Sequence, residues 1–84
     1  MSDINELTKE LQTIIGDTGT SVESRAALIT DDIANRYGDL VDSNPSFSQI
    51  VDMAAKIKAS GATERENGVM WGEVVHLAHA LANS

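Results

Sequence analysis

Apolar residues recur along this chain in four groups, each with steps of three and four, the spacing that lines one face of a helix. The first group is Ile4, Leu7, Leu11, Ile14 and Ile15. Asp3 and Glu6 have the N-cap to N3 spacing of a capping-box-like start, and Gly16 suits a left-handed C-terminal cap. A helix is therefore expected over about 3–15. Gly16-Asp17-Thr18-Gly19-Thr20 is a turn by composition. Thr20 and Glu23 then form a T-x-x-E box that opens a second helix, about 21–42. Its stripe of Val22, Ala26, Ile29, Ile33, Tyr37 and Leu40 covers an arc of roughly 80°. Gly38 weakens the last turn by about 1 kcal/mol relative to Ala, so the helix is expected to end or bend there.

Asn44 can cap the next helix, with Pro45 at its first position, where a missing N–H costs nothing. Phe47, Ile50, Val51, Ala54 and Ile57 give the stripe of this third helix, 45–59. Lys56 and Lys58 lie near the negative end of its dipole, and Gly61 can terminate it. Thr63 and Glu66 form a second T-x-x-E box, opening a fourth helix over 64–82. Asn67-Gly68 could instead be a loop that delays this start. No stretch alternates with period two, and no repeat or linker divides the chain. The expectation is an all-α protein, a compact bundle of about four short helices forming one domain over 1–84.

At 84 residues the chain lies near the lower end of what folds alone, with a core that leaves a thin margin. It has no cysteine, so neither disulfides nor thiolate-bound metal can supplement that core. Net charge is −7, from 13 acids against 6 bases. Nucleic-acid affinity comes mainly from Lys and Arg neutralising phosphates, so direct DNA or RNA binding is disfavoured, and anionic membranes are disfavoured for the same reason. No apolar run approaches the roughly 18–20 residues needed to span a bilayer. Met1 to Glu6 lack the basic start and apolar middle of a signal peptide. A soluble cytoplasmic protein is expected.

The fourth helix is the most unusual segment. From Asn67 to Ser84 it has one acid, Glu73, and no Lys or Arg. Met70, Trp71, Val74, Val75, Leu77, Ala78 and Leu81 fill an arc of about 160°, and the opposite face of Gly72, Glu73, His76, His79 and Ala80 is only weakly polar. Such a helix is usually surrounded by protein, either as the centre of its own fold or by packing on a second chain. Tyr37, Phe47 and Trp71, the only aromatics, are expected to anchor the core. Trp71 beside Met70 is the candidate for an exposed hot spot.

Two further patterns could carry chemistry. Glu73, His76 and His79 read E-x-x-H-x-x-H, three metal-ligand types within two turns, though neither the second E-x-x-H of a di-iron bundle nor an H-E-x-x-H zinc motif is present. Asp31, Asp32, Asp39 and Asp42 cluster mid-chain; such a run is a solvated face or an anionic surface that docks on a basic groove, as a nucleic-acid mimic would. Asp42-Ser43 ahead of a helix in an acidic chain of this length superficially resembles an acyl carrier protein. Asn44-Pro45, Lys56 and Lys58 depart from that family's pattern, and no family is assigned. Neither an activated nucleophile nor a phosphate-binding loop is evident.

The expected function is a non-catalytic protein–protein interaction module, without cofactor. It would self-associate as a homodimer or dock on another protein through Met70, Trp71, Gly72, His76, His79 and Ala80. The alternative is an acidic inhibitor that mimics nucleic acid and uses Asp31, Asp32, Asp39 and Asp42. A third reading is a metal-binding helical protein built on Glu73, His76 and His79.

Overall fold

Helix α1, Ile4–Gly16, turns Leu7 and Leu11 fully inward and leaves Ile4, Ile14 and Ile15 half-buried beside them. The computed structural model describes residues 4–60 and 64–83; the Asp3 cap, the Gly61 terminator and the Thr63 end of the second T-x-x-E box lie outside the described residues. Gly16 is the last helical residue and does not adopt the left-handed conformation expected of it. The chain leaves instead through turns in which Asp17 N–H donates to Ile14 O at 3.2 Å and Thr18 N–H to Gly16 O at 3.0 Å. Arg25 Nη1 reaches across to donate to the Ile15 carbonyl at 3.3 Å, satisfying a carbonyl that the helix end leaves unpaired.

Helix α2, Val22–Leu28, is capped by Ser21, whose Oγ accepts from Ser24 N–H at 3.2 Å. The Thr20 cap expected from the T-x-x-E spacing is not made, because Thr20 Oγ1 donates to Asp17 Oδ2 at 2.7 Å within the turn. The helix continues into a π-helical stretch, Ile29–Ile33, where Ala34 N–H bonds back to Ile29 O. Ile29, Ile33 and Tyr37 are spaced by four, a step that drifts by about 40° in a 3.6-residue helix. The wider π turn absorbs that drift, and all three side chains are buried. After the short α3, Ala34–Arg36, Tyr37 breaks the helix at φ −114°, ψ 37°, and α4, Gly38–Ser43, restarts it. The single helix expected over 21–42 is thus a bent series, with its bend one residue before Gly38.

Helix α5, Pro45–Ala59, begins as its sequence signals: Asn44 Oδ1 accepts from Phe47 N–H at 3.1 Å, with Pro45 in the first turn. It buries Phe47, Ile50, Ala54 and Ile57. Helix α6, Glu64–Ala82, runs unbroken through Asn67-Gly68, so the alternative loop there does not form. Asn67 is buried, with Ser60 Oγ donating to its Oδ1 at 3.4 Å.

α5 and α6 pack along each other most extensively, α2 lies mainly on α5, and α1 lies on α6. Four helices of seven residues or more, α1, α2, α5 and α6, enclose one core, with no strand among the described residues. The radius of gyration of 11.8 Å matches the roughly 12 Å of a compact chain this long. No described helix is long and apolar enough to cross a membrane.

Candidate functional site

α6 turns Trp71, Val74, Ala78 and Leu81 into the core, with Met70, Val75 and Leu77 half-buried at its margins. The core stripe is therefore centred between Trp71 and Val74. Of the six residues proposed to bind a partner, Gly72, His76, His79 and Ala80 are exposed, and Met70 is half-buried. Trp71 belongs to the core instead, at 7% exposure. Arg25 covers it, with its guanidinium carbon 5.2 Å from the ring centroid, and the Arg25 Nε is buried without a hydrogen-bond partner. An indole under a cation and inside the core is an anchor for α2 on α6, not an exposed hot spot.

The outward face of α6 carries a residue the sequence reading passed over. Val69 is 72% exposed, and on the helical wheel it lies between His76 and Ala80. Its signal was available: it falls outside the apolar arc, where an isolated valine draws no attention beside a larger stripe. Gly68 and Gly72 share this side of the helix. A Cβ built on either meets nothing within 4 Å among the described residues, so the fold described here gives neither glycine a packing reason.

Glu73, His76 and His79 do not converge. Each three-residue step turns the helix by about 300°, which fans the trio over about 120° of its surface. Among the described residues no group of three His, Asp or Glu side chains could hold a metal ion, so the trio makes no such cluster within the chain.

The acidic candidates divide into two pairs. Asp31 and Asp32 lie on the π-helical stretch and are already engaged. Lys58 Nζ contacts the Asp31 carboxylate at 2.7 and 2.9 Å, and Arg36 holds Asp32 through Nε and Nη2 at 2.8 and 3.0 Å. The same guanidinium reaches Glu10 on α1 at 2.6 Å, and Tyr37 OH donates to the other Glu10 oxygen at 2.5 Å. Hydrogen bonds from these cations hold Asp31 and Asp32 below the usual carboxylate range. Glu10 is lowered by Arg36 first and Tyr37 second. The bond to Glu10, reinforced by burial, pushes the Tyr37 phenol up to about 12. Asp39 and Asp42 lie beyond the Tyr37 bend on α4, with Asp39 in its first turn.

Among the described residues, Leu28 is the other large apolar side chain left out of the core, 45% exposed at the end of α2. It stands between two shallow hollows. One, of about 210 Å³, is lined by Glu10, Thr13, Ile14, Ile33 and Arg36, and the other by Ser24, Ala27, Asp31 and Asp32. Comparisons with protein-family models, with curated proteins and with solved structures find no match, so function has to be read from these surfaces themselves.

Proposed function

We propose that this protein is a small, non-catalytic, cytoplasmic interaction module that docks on another protein, or on a second copy of itself, through the outward face of α6. The observation that carries this reading is Val69, 72% exposed, on a helix face of Gly68, Gly72, His76 and Ala80 where, beyond Arg65 and Glu66 of the first turn, Glu73 is the one charged side chain, fewer than normally solubilise an exposed helix. Small residues let a second backbone approach closely, and burying Val69 against it would add to a core that is thin in a chain of this size.

Val69→Lys and Ala80→Lys place long charged chains across this face without touching the core. Both should abolish self-association in sedimentation or capture of a native partner, with helical circular dichroism unchanged. A wild type that is strictly monomeric, and whose partner binding survives both changes, would leave α6 a plain core element.

The acidic-inhibitor alternative draws less support. Its four carboxylates do not form one surface: Asp31 and Asp32 lie on the π-helical stretch, where they also hold Lys58 and Arg36, and Asp39 and Asp42 lie beyond the Tyr37 bend on α4. If mimicry nonetheless operates, partner binding should weaken steeply with salt and fail when Asp31, Asp32, Asp39 and Asp42 are neutralised together.

A further inference from the structure

The Leu28 ridge lies away from α6, and its chemistry is different. Its apolar floor is Ile14 from α1 and Ile33 from the π-helical stretch, with Leu28 rising between the two hollows. The hollow over Ile14 and Ile33, at about 210 Å³, falls below the roughly 300–1,000 Å³ of small-molecule sites, and the one over Ser24 and Ala27, at about 430 Å³, is an open, shallow surface. The first has room for an anchoring side chain. Three carboxylates, Glu10, Asp31 and Asp32, line the two hollows against the guanidinium of Arg36 and the Lys58 ammonium on Asp31, which leaves the rim with an excess of one negative charge.

From this apolar centre and acidic rim we infer that the Leu28 ridge receives a basic amphipathic helix of a partner protein. One apolar side chain of that helix enters the hollow over Ile14 and Ile33, and its Lys or Arg side chains meet Glu10, Asp31 and Asp32. Charge complementarity selects this occupant. The molecule carries a net charge of −7, which steers a cationic segment towards it. The rim carboxylates remain substantially open, with Asp31 and Asp32 side chains 60% and 53% exposed. A carboxylate offers about four acceptor sites, so a partner cation adds to Lys58 and Arg36 without displacing them. No strand among the described residues presents an edge to extend, and an amphipathic helix is the form that sets one apolar side chain in a hollow with cationic side chains one turn to either side.

The test uses the whole chain and a synthetic Leu/Lys amphipathic peptide on the order of 18 residues, five helical turns. A scrambled peptide of the same composition is the control. Amide shift mapping should place the amphipathic peptide on residues of α1 and α2 around Ile14 and Leu28. Leu28→Lys, at a side chain the fold does not need, should weaken binding by about tenfold or more. Asp31→Asn with Asp32→Asn should weaken it by a smaller factor and flatten its salt dependence. Ala80→Lys, on the α6 face, should leave it unchanged. Absence of binding, equal binding of the scrambled peptide, shifts confined to α6, or indifference to Leu28→Lys would each overturn the inference.

Discussion

Glu10 is the residue on which several contacts of α1 converge. It accepts from Arg36 and from Tyr37, and so joins α1 to the point where the second stretch of helix bends. Because its folded value is depressed, its contribution is fully present at neutral pH and is lost as pH falls below its ordinary 4.5. The Tyr37 contribution runs the other way: intact below pH 10, it is lost as pH rises toward about 12. Tyr37 is the only tyrosine, so its ultraviolet titration can be followed directly. The midpoint should lie near 12 and fall back toward 10 in Glu10→Gln. Titration near 10 in the wild type, with helical dichroism intact, would mean that the Tyr37–Glu10 bond is absent in solution. Tyr37→Phe should cost about 0.5–1.5 kcal/mol at neutral pH by chemical denaturation.

At the scale of elements, two substitutions separate the cap that forms from the one the spacing suggested. Ser21→Ala should cost about 0.5–2 kcal/mol, as loss of an N-cap does. Thr20→Ala, which removes only an exposed bond to Asp17, should cost markedly less. Gly68→Ala and Gly72→Ala should each stabilise the isolated fold by about 0.5–1 kcal/mol, because a Cβ there meets nothing among the described residues. If α6 packs closely on a partner, the same changes weaken that association, and denaturation and binding would move in opposite directions. Much of the architecture was legible because it depends on local chemistry: the Asn44-Pro45 start, the inward stripe of α5 and the all-helical pattern are written in spacing and capping. The bend was legible to within one residue, through Gly38, but the π-helical stretch was not. It answers to how Ile29, Ile33 and Tyr37 reach a shared core, which no short window of sequence contains. The α6 surface was half legible: its scarcity of charge is a fact of composition, but the orientation that buries Trp71 and exposes Val69 is set by Arg25 and by α5.

For the molecule as a whole, the core gives graded predictions. Leu11, Ile33 and Ile50 are fully buried, and Ala at any of them should cost about 2–5 kcal/mol. Leu77 is only half-buried, so Leu77→Ala should fall below that range. Equal losses at Leu77 and Ile50 would show that α6 is rotated from the orientation described. The charge of −7 is uneven along the chain: residues 22–43 carry five acids and two bases, α6 three acids and one base, and α5 one acid and two bases. A cationic partner is therefore drawn most strongly to the second stretch of helix.

The seating of α1 on α6 joins the two ends of the sequence, and this has a kinetic meaning. α5 and α6 are consecutive and can find each other across a short connection, but α1 meets α6 only after most of the chain has been closed into a loop. Contacts of long sequence separation form late and are released early. Amide exchange should therefore resolve two layers: slow exchange along Ile50 to Ile57 and Val74 to Ala78, and faster, sub-global opening of α1. Neutralising Glu10 should hasten the exchange of α1 and leave the slow layer as it was.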